Sequence, residues 1–123
     1  PLVSQLFPYT TLFRSYVEEH YMDEVILGDL ALVAHVSPSY LSTRFKKETG
    51  ASFTEYLIRY RVNKAKNLLK EKQNRCREVA ENVGYKDYAQ FSKIFKKYVG
   101  LSPKEYQRMA LEEENQYKHK KSE

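Results

Sequence analysis

From Tyr16 onward the apolar positions recur every three to four residues, in short blocks punctuated by Gly, Pro, Ser and Asp, so the chain reads as a string of helices. SYVEEHYM (Ser15–Met22) sets Tyr16, Val17 and Tyr21 among acids and predicts a short first helix, and Asp29–Ala34 predicts a second. Ser37-Pro38 is a helix start, a hydroxyl N-cap followed by Pro at the first helical position, where its missing N–H costs nothing. The helix it opens runs Pro38–Thr49 and stops at Gly50, a suitable residue just past a C-cap. Ser52-Phe53-Thr54-Glu55 fits a capping box and opens a long helix, TEYLIRYRVNKAKNLLKEK, with Tyr56, Leu57, Tyr60, Ala65, Leu68 and Leu69 as its buried stripe. At the helical rise this element is roughly 25 Å long. A polar connection, Lys70–Arg77, leads to a short helix at Glu78–Val83 and a turn, Gly84-Tyr85-Lys86-Asp87, with Asp87 as N-cap. Tyr88–Val99 is the next helix, ended by Gly100, and Ser102-Pro103-Lys104-Glu105 caps the last. Beyond Met109 the apolar period is lost and a frayed tail is expected.

The blocks repeat. Ser42, Phe45, Lys46, Lys47, Gly50, Ser52, Glu55 and Tyr56 return fifty residues later as Ser92, Phe95, Lys96, Lys97, Gly100, Ser102, Glu105 and Tyr106. In each copy a short helix, a tight turn and a second helix fit a helix-turn-helix. The second helix divides into two faces. Leu41 and Phe45 point inward in the first copy, with Ser39, Ser42, Thr43 and Lys46 on the other side. Phe91 and Phe95 point inward in the second, where Ala89, Ser92, Lys93 and Lys96 repeat the outer face and Tyr88 adds an aromatic ring near the start. Short hydroxyls let a backbone approach base edges, and lysines reach base acceptors or phosphates. For either helix alone a merely solvated polar face is the favoured reading; its recurrence behind the same turn reverses this and favours duplex DNA.

The charge agrees with an anionic partner: the 123 residues carry a net +5 and a pI near 9.2. Eleven Tyr and six Phe can fill small helical cores, and four Gly and four Pro leave long helical stretches. The expected fold is all-α. A single cysteine, Cys76, excludes an internal disulfide and suits a reducing compartment. No run approaches the roughly 20 apolar residues of a membrane span, and the N-terminus lacks the marks of a signal peptide, so the cytoplasm is the expected location. His20, His35 and His119 show no metal-ligand spacing, no Gly-rich phosphate loop is present, and Cys76 lacks a catalytic partner. An enzyme and a bound cofactor are therefore not expected. Glu18, Glu19, Asp23 and Glu24 read as a solvated acidic face.

The chain starts at Pro1, and LFPYTTLFRS (Leu6–Ser15) matches one reading frame of a common sequencing adapter, CTC TTT CCC TAC ACG ACG CTC TTC CGA TCT. Residues 1–15 are accordingly expected to be a non-native or disordered lead-in.

Residues from about Tyr16 to Gln107 resemble the DNA-binding domain of the AraC/XylS family of bacterial transcription regulators. LALVAHVSPSYLSTRFKKETGASFTEYL, RVNKAKNLL and VAENVGYKDYAQFSKIFKKYVGLSPKEY carry the resemblance. It implies about seven helices: a first helix-turn-helix subdomain (about 16–53), a linker helix (about 54–71) and a second subdomain (about 75–107), with 108–123 as tail. It also implies that Ser39, Tyr40, Ser42 and Thr43, then Tyr88, Ala89, Ser92 and Lys93, face the bases of two major-groove segments about one helical turn, ~34 Å, apart. Lys46, Lys47, Arg61, Lys96 and Lys97 would serve phosphates. The implied partner is promoter DNA, with RNA polymerase a second one, no membrane and no small-molecule ligand within this stretch. The resemblance allows a preceding effector domain, a receiver domain or nothing at all, and VGYKDYAQFSKIFKKYVG inclines it towards the receiver domain; monomer or dimer would follow from such a domain. Three residues depart from the family pattern: Gln107 stands for a usual Arg, Tyr85 for a usual Phe, and Cys76 for an aliphatic residue expected to pack in the core. The rival reading is a protein-interaction module that docks on polymerase or a partner domain and binds DNA weakly.

Overall fold

A computed structural model describes residues 8–25 and 27–122. Seven helices and no strand occur among them: α1 (Pro8–His20), α2 (Leu27–Ala34), α3 (Pro38–Thr49), α4 (Phe53–Leu69), α5 (Cys76–Asn82), α6 (Tyr88–Val99) and α7 (Pro103–Ser122). The chain divides into two compact units, residues 1–60 and 61–123, and α4 begins in the first and ends in the second.

The caps explain the helix boundaries. Ser37 Oγ accepts from the Tyr40 N–H at 3.1 Å, with Pro38 next in line, and Asp87 Oδ1 accepts from the Ala89 N–H at 2.9 Å. Gly50 and Gly100 end α3 and α6 at φ +79° and +90°, each donating its N–H back to the carbonyl of Lys46 or Lys96. A side chain at such a left-handed φ is strained, which is why glycine recurs there. The last capping box is reciprocal: Ser102 Oγ accepts from the Glu105 N–H at 3.1 Å while Glu105 Oε1 accepts from the Ser102 N–H at 3.2 Å. These bonds hold the fully exposed Glu105 carboxyl below its usual pKa. In the first copy only half of the box forms. Ser52 Oγ caps Glu55 N–H, but the Glu55 carboxylate turns to Arg59 instead, at 3.0 Å.

The core of the first unit is aromatic. Phe13 and Val17 of α1, Leu30 and Ala31 of α2, Leu41 and Phe45 of α3, and Phe53 and Leu57 of α4 are buried together. The Phe13 ring lies 4.1 Å from that of Phe45 and 4.8 Å from that of Phe53. In the second unit Val79 and Ala80 of α5, Val83 just after it, Phe91 and Phe95 of α6, and Tyr106 of α7 are buried, as are Val62, Ala65 and Leu69 of α4. Tyr85 meets Phe91 at 5.5 Å, Phe91 meets Phe95 at 5.7 Å, and Phe95 meets Tyr106 at 5.6 Å.

Two segments differ from the expectation. Of the two readings of the lead-in at residues 1–15, non-native or disordered, disorder does not hold for residues 8–15, which form the first half of α1 with Phe13 completely buried. The physical reason is spacing: Phe13 and Val17 are four apart and share one helix face, so the stripe begins before Tyr16. Residues 1–7 of that lead-in lie outside the described residues. The frayed tail is instead helical to Ser122, although every described side chain from Glu112 onward is exposed. Strong helix formers and a Glu114–Lys118 pair at 3.1 Å, one turn apart, extend α7 with no packing beneath it.

Candidate nucleic-acid interface

Burying Leu41 and Phe45 turns the opposite side of α3 outward, so Ser39, Tyr40, Ser42, Thr43, Lys46 and Lys47 are all exposed. Their hydroxyls and ammonium groups form one polar face. Thr43 donates its hydroxyl to the Ser39 carbonyl at 3.0 Å and keeps its oxygen as an acceptor. Tyr40 rests edge-on against Tyr9 at 6.0 Å, which braces an aromatic side chain that is otherwise half in water. Arg44, on the same helix, is directed elsewhere: it pairs at 3.3 Å with Glu48, whose nearly buried carboxylate also accepts from the Thr10 hydroxyl at 2.8 Å.

On α6 burial of Phe91 and Phe95 leaves Ala89, Lys93, Lys96 and Lys97 exposed and Ser92 half-buried. Tyr88, the first residue of α6, is half-buried rather than presented freely, with the Arg77 guanidinium 4.9 Å above its ring. Burial and the neighbouring Cys76 push the Tyr88 phenol up, and burial pushes the Cys76 thiol up, so both are neutral at physiological pH. Arg61 is half-buried with its guanidinium 5.3 Å from the Tyr85 ring centre, an internal engagement that competes with the phosphate role expected for it.

The turns between paired helices use a left-handed residue in both units, His35 at φ +59° and Gly84 at φ +104°. Histidine tolerates this conformation better than β-branched residues do. His35 thus holds a turn position, and no group of three or more His, Cys, Asp or Glu side chains among the described residues is placed to hold a metal ion. No described helix is long and apolar enough to cross a membrane.

Sequence reasoning missed two features of the second unit. Gln107 donates from Nε2 to the carbonyls of Asn74 (2.6 Å) and Glu71 (3.3 Å), and its Oε1 faces the Cys76 thiol at 3.8 Å. The amide thereby holds the loop between α4 and α5. The Cys76 side chain is only half-buried, at the edge of the core rather than within it. The second feature is a groove of about 630 Å³ lined by Arg75, Arg77 and Lys104, with Tyr88 and Gln107 as its walls. The signal for it was present in the repeat, because the first copy has no cation at the matching positions.

A family described as a helix-turn-helix domain matches residues 30–109, well over half of the chain. An uncharacterized HTH-type transcriptional regulator of Bacillus subtilis, YtdP, is 38% identical over 90 residues, covering 73% of this chain. The chain spans only 12% of that relative's length. The C-terminal domain of AraT, a response regulator from Geobacillus stearothermophilus, is 38% identical with a TM-score of 0.78, covering 83% of this chain and 85% of that one. The DNA-binding domain of the global transcriptional factor AdpA, solved in complex with a target DNA, is 26% identical with a TM-score of 0.75, covering 83% and 91%. The duplicated helix-turn-helix and these matches agree: the chain belongs to the AraC-type family of helix-turn-helix transcription regulators, a family of DNA-binding proteins and not of enzymes.

Proposed function

We propose that this chain is the DNA-reading part of a transcription regulator, with α3 and α6 each entering a major-groove segment about one helical turn apart, ~34 Å. One observation carries the reading: the same outward face recurs on both helices, Ser39, Ser42, Thr43 and Lys46 on α3 and Ala89, half-buried Ser92, Lys93 and Lys96 on α6. Ser39, Tyr40, Ser42 and Thr43 read bases in one segment, and Tyr88, Ala89, Ser92 and Lys93 in the other. Lys46, Lys47, Lys96 and Lys97 supply salt-dependent contacts to phosphates, and Arg61 joins them only by leaving Tyr85. The AdpA domain, solved on its target DNA, supports this use of the fold. Bacterial cytoplasm is the matching location. Regulation and oligomeric state belong to segments outside this stretch, and a receiver domain is favoured by the likeness to the AraT response regulator.

The rival role, docking on polymerase or a partner domain, has one observation in its favour. Leu32 and Val33 on α2 are 75% and 61% exposed, whereas the repeat places Glu81 and Asn82 at the matching positions of α5. The two roles are compatible, because they use residues of different helices, α2 and α3.

Selection of the whole chain against a random duplex pool tests the proposal. Two enriched blocks about one helical turn apart are expected. Retention of every duplex with no enrichment at any salt concentration would refute sequence reading and leave the docking role.

A further inference from the structure

We infer that Arg75, Arg77 and Lys104 form a phosphodiester-binding groove in the second unit, which grips the DNA backbone beside the start of α6. The inference rests on the DNA-binding reading and deepens it. Arg75 precedes α5, Arg77 lies in its first turn and Lys104 lies in the first turn of α7, so two separate stretches of chain bring three cations to one groove of about 630 Å³. None of the three takes part in an ion pair among the described residues. Glu78 is the one acid that lines the groove, and Cys76 and Tyr88 stay neutral because burial raises both, so the groove is net positive.

The repeat supplies an internal control. Leu30-Ala31 of α2 corresponds to Val79-Ala80 of α5, both pairs buried, and the caps Ser37 and Ser52 correspond to Asp87 and Ser102. In that register Arg75, Arg77, Tyr88 and Lys104 match Ile26, Gly28, Pro38 and Thr54. The fold is thus built once without any of these cations, and they are not needed to make it.

Their chemistry selects the ligand. A guanidinium offers paired donors in a rigid plane that matches two phosphate oxygens, and an ammonium adds a mobile point charge. Stacking on Tyr88 holds the Arg77 plane in place before any ligand arrives, which lowers the ordering cost of contact. Tyr88 is also the first residue of α6, so an anion held in the groove lies at the entry of the recognition helix. The partner that places a chain of phosphates along such a helix is duplex DNA.

The test is duplex affinity of the whole chain across a salt series, for the wild type and two triple variants. One carries Arg75→Gln, Arg77→Gln and Lys104→Gln. The other carries Lys118→Gln, Lys120→Gln and Lys121→Gln and removes the same charge from the exposed end of α7. The expected result is a plot of log affinity against log salt that is shallower by about 2 to 3 for the groove variant, near 0.9 per lost contact, and unchanged for the α7 variant. Arg75→Gln and Lys104→Gln alone, both at exposed positions, should each lower the slope by about 1, which keeps the test valid if the triple variant folds poorly. A wild-type slope in the groove variants, or an equal loss in both triple variants, overturns the groove while leaving DNA binding intact. A wild type with no salt-sensitive duplex binding overturns both readings. Inorganic phosphate separates the remaining source: if it binds the wild type and not the groove variant while the duplex slope stays the same, the groove takes free phosphate and the backbone assignment fails.

Discussion

The side-chain amide of Gln107 donates a 2.6 Å hydrogen bond to the backbone carbonyl of Asn74, tying the first turns of α7 to the loop that precedes α5. The same amide reaches the Glu71 carbonyl, and Asn74 in turn donates from Nδ2 to the Leu68 carbonyl at 2.8 Å, at the end of α4. A residue that departs from the family's usual Arg thus acts as a loop clamp, because an amide supplies the donors that two carbonyls require.

Gln107→Ala leaves those carbonyls without this donor and should destabilise the second unit by about 1–3 kcal/mol. Gln107→Glu should cost more at neutral pH, since a carboxylate faces two carbonyl oxygens. Gln107→Arg keeps donors at the site and should cost least. Chemical melts of the three variants check the order, and Ala with a wild-type midpoint would remove the clamp from the account.

Phe13 is fully buried between the rings of Phe45 and Phe53. Phe13→Ala should therefore cost about 3–5 kcal/mol, the range for deleting a core ring. Trimming the chain to begin at residue 16 removes the same ring and should have a similar effect. Hydrogen exchange resolved along the chain should show the loss confined to residues of the first unit. Equal loss of protection in both units would contradict this.

Ser92→Ala and Lys93→Ala should change base preference within one half-site only. Lys96→Ala should weaken binding to all sequences alike and reduce the salt slope by about 1. Duplex selection with each variant separates the two outcomes. Uniform weakening by Lys93→Ala would move Lys93 from the base readers to the phosphate contacts.

Tyr85 is buried, and its hydroxyl has no well-aligned hydrogen-bond partner although the Arg61 charge lies nearby. Burial pushes its phenol above the ordinary value of 10.0, and Arg61 offsets part of the rise. A raised folded pKa favours the neutral form, so this contribution is fully present below the unfolded pKa and is lost as pH rises through the folded one. Tyr85→Phe keeps the ring under Arg61 and removes the buried hydroxyl. It should be neutral or stabilising by up to about 1 kcal/mol and move the onset of alkaline unfolding to higher pH. A drop in stability at pH 7 would mean that the hydroxyl is paired after all.

Much of this protein was legible from local chemistry. Ser37-Pro38, Asp87, Ser52, Ser102, Gly50 and Gly100 mark helix ends through bonds made within a few residues, so the boundaries of α3, α6 and the start of α7 needed no knowledge of the rest of the chain. The inward pairs Leu41/Phe45 and Phe91/Phe95 follow from helical period, and with them the outward faces that propose the DNA contacts. What local chemistry could not decide were relationships across long stretches of sequence. Whether Phe13 belongs to the core depends on Phe45 and Phe53 closing around it. The direction of the Gln107 amide depends on a loop more than thirty residues earlier. The meeting of Arg75, Arg77 and Lys104 depends on α5 and α7 packing about α6, and only tertiary structure brings dispersed charges into one groove, because charge by itself specifies no partner until packing has set its distance.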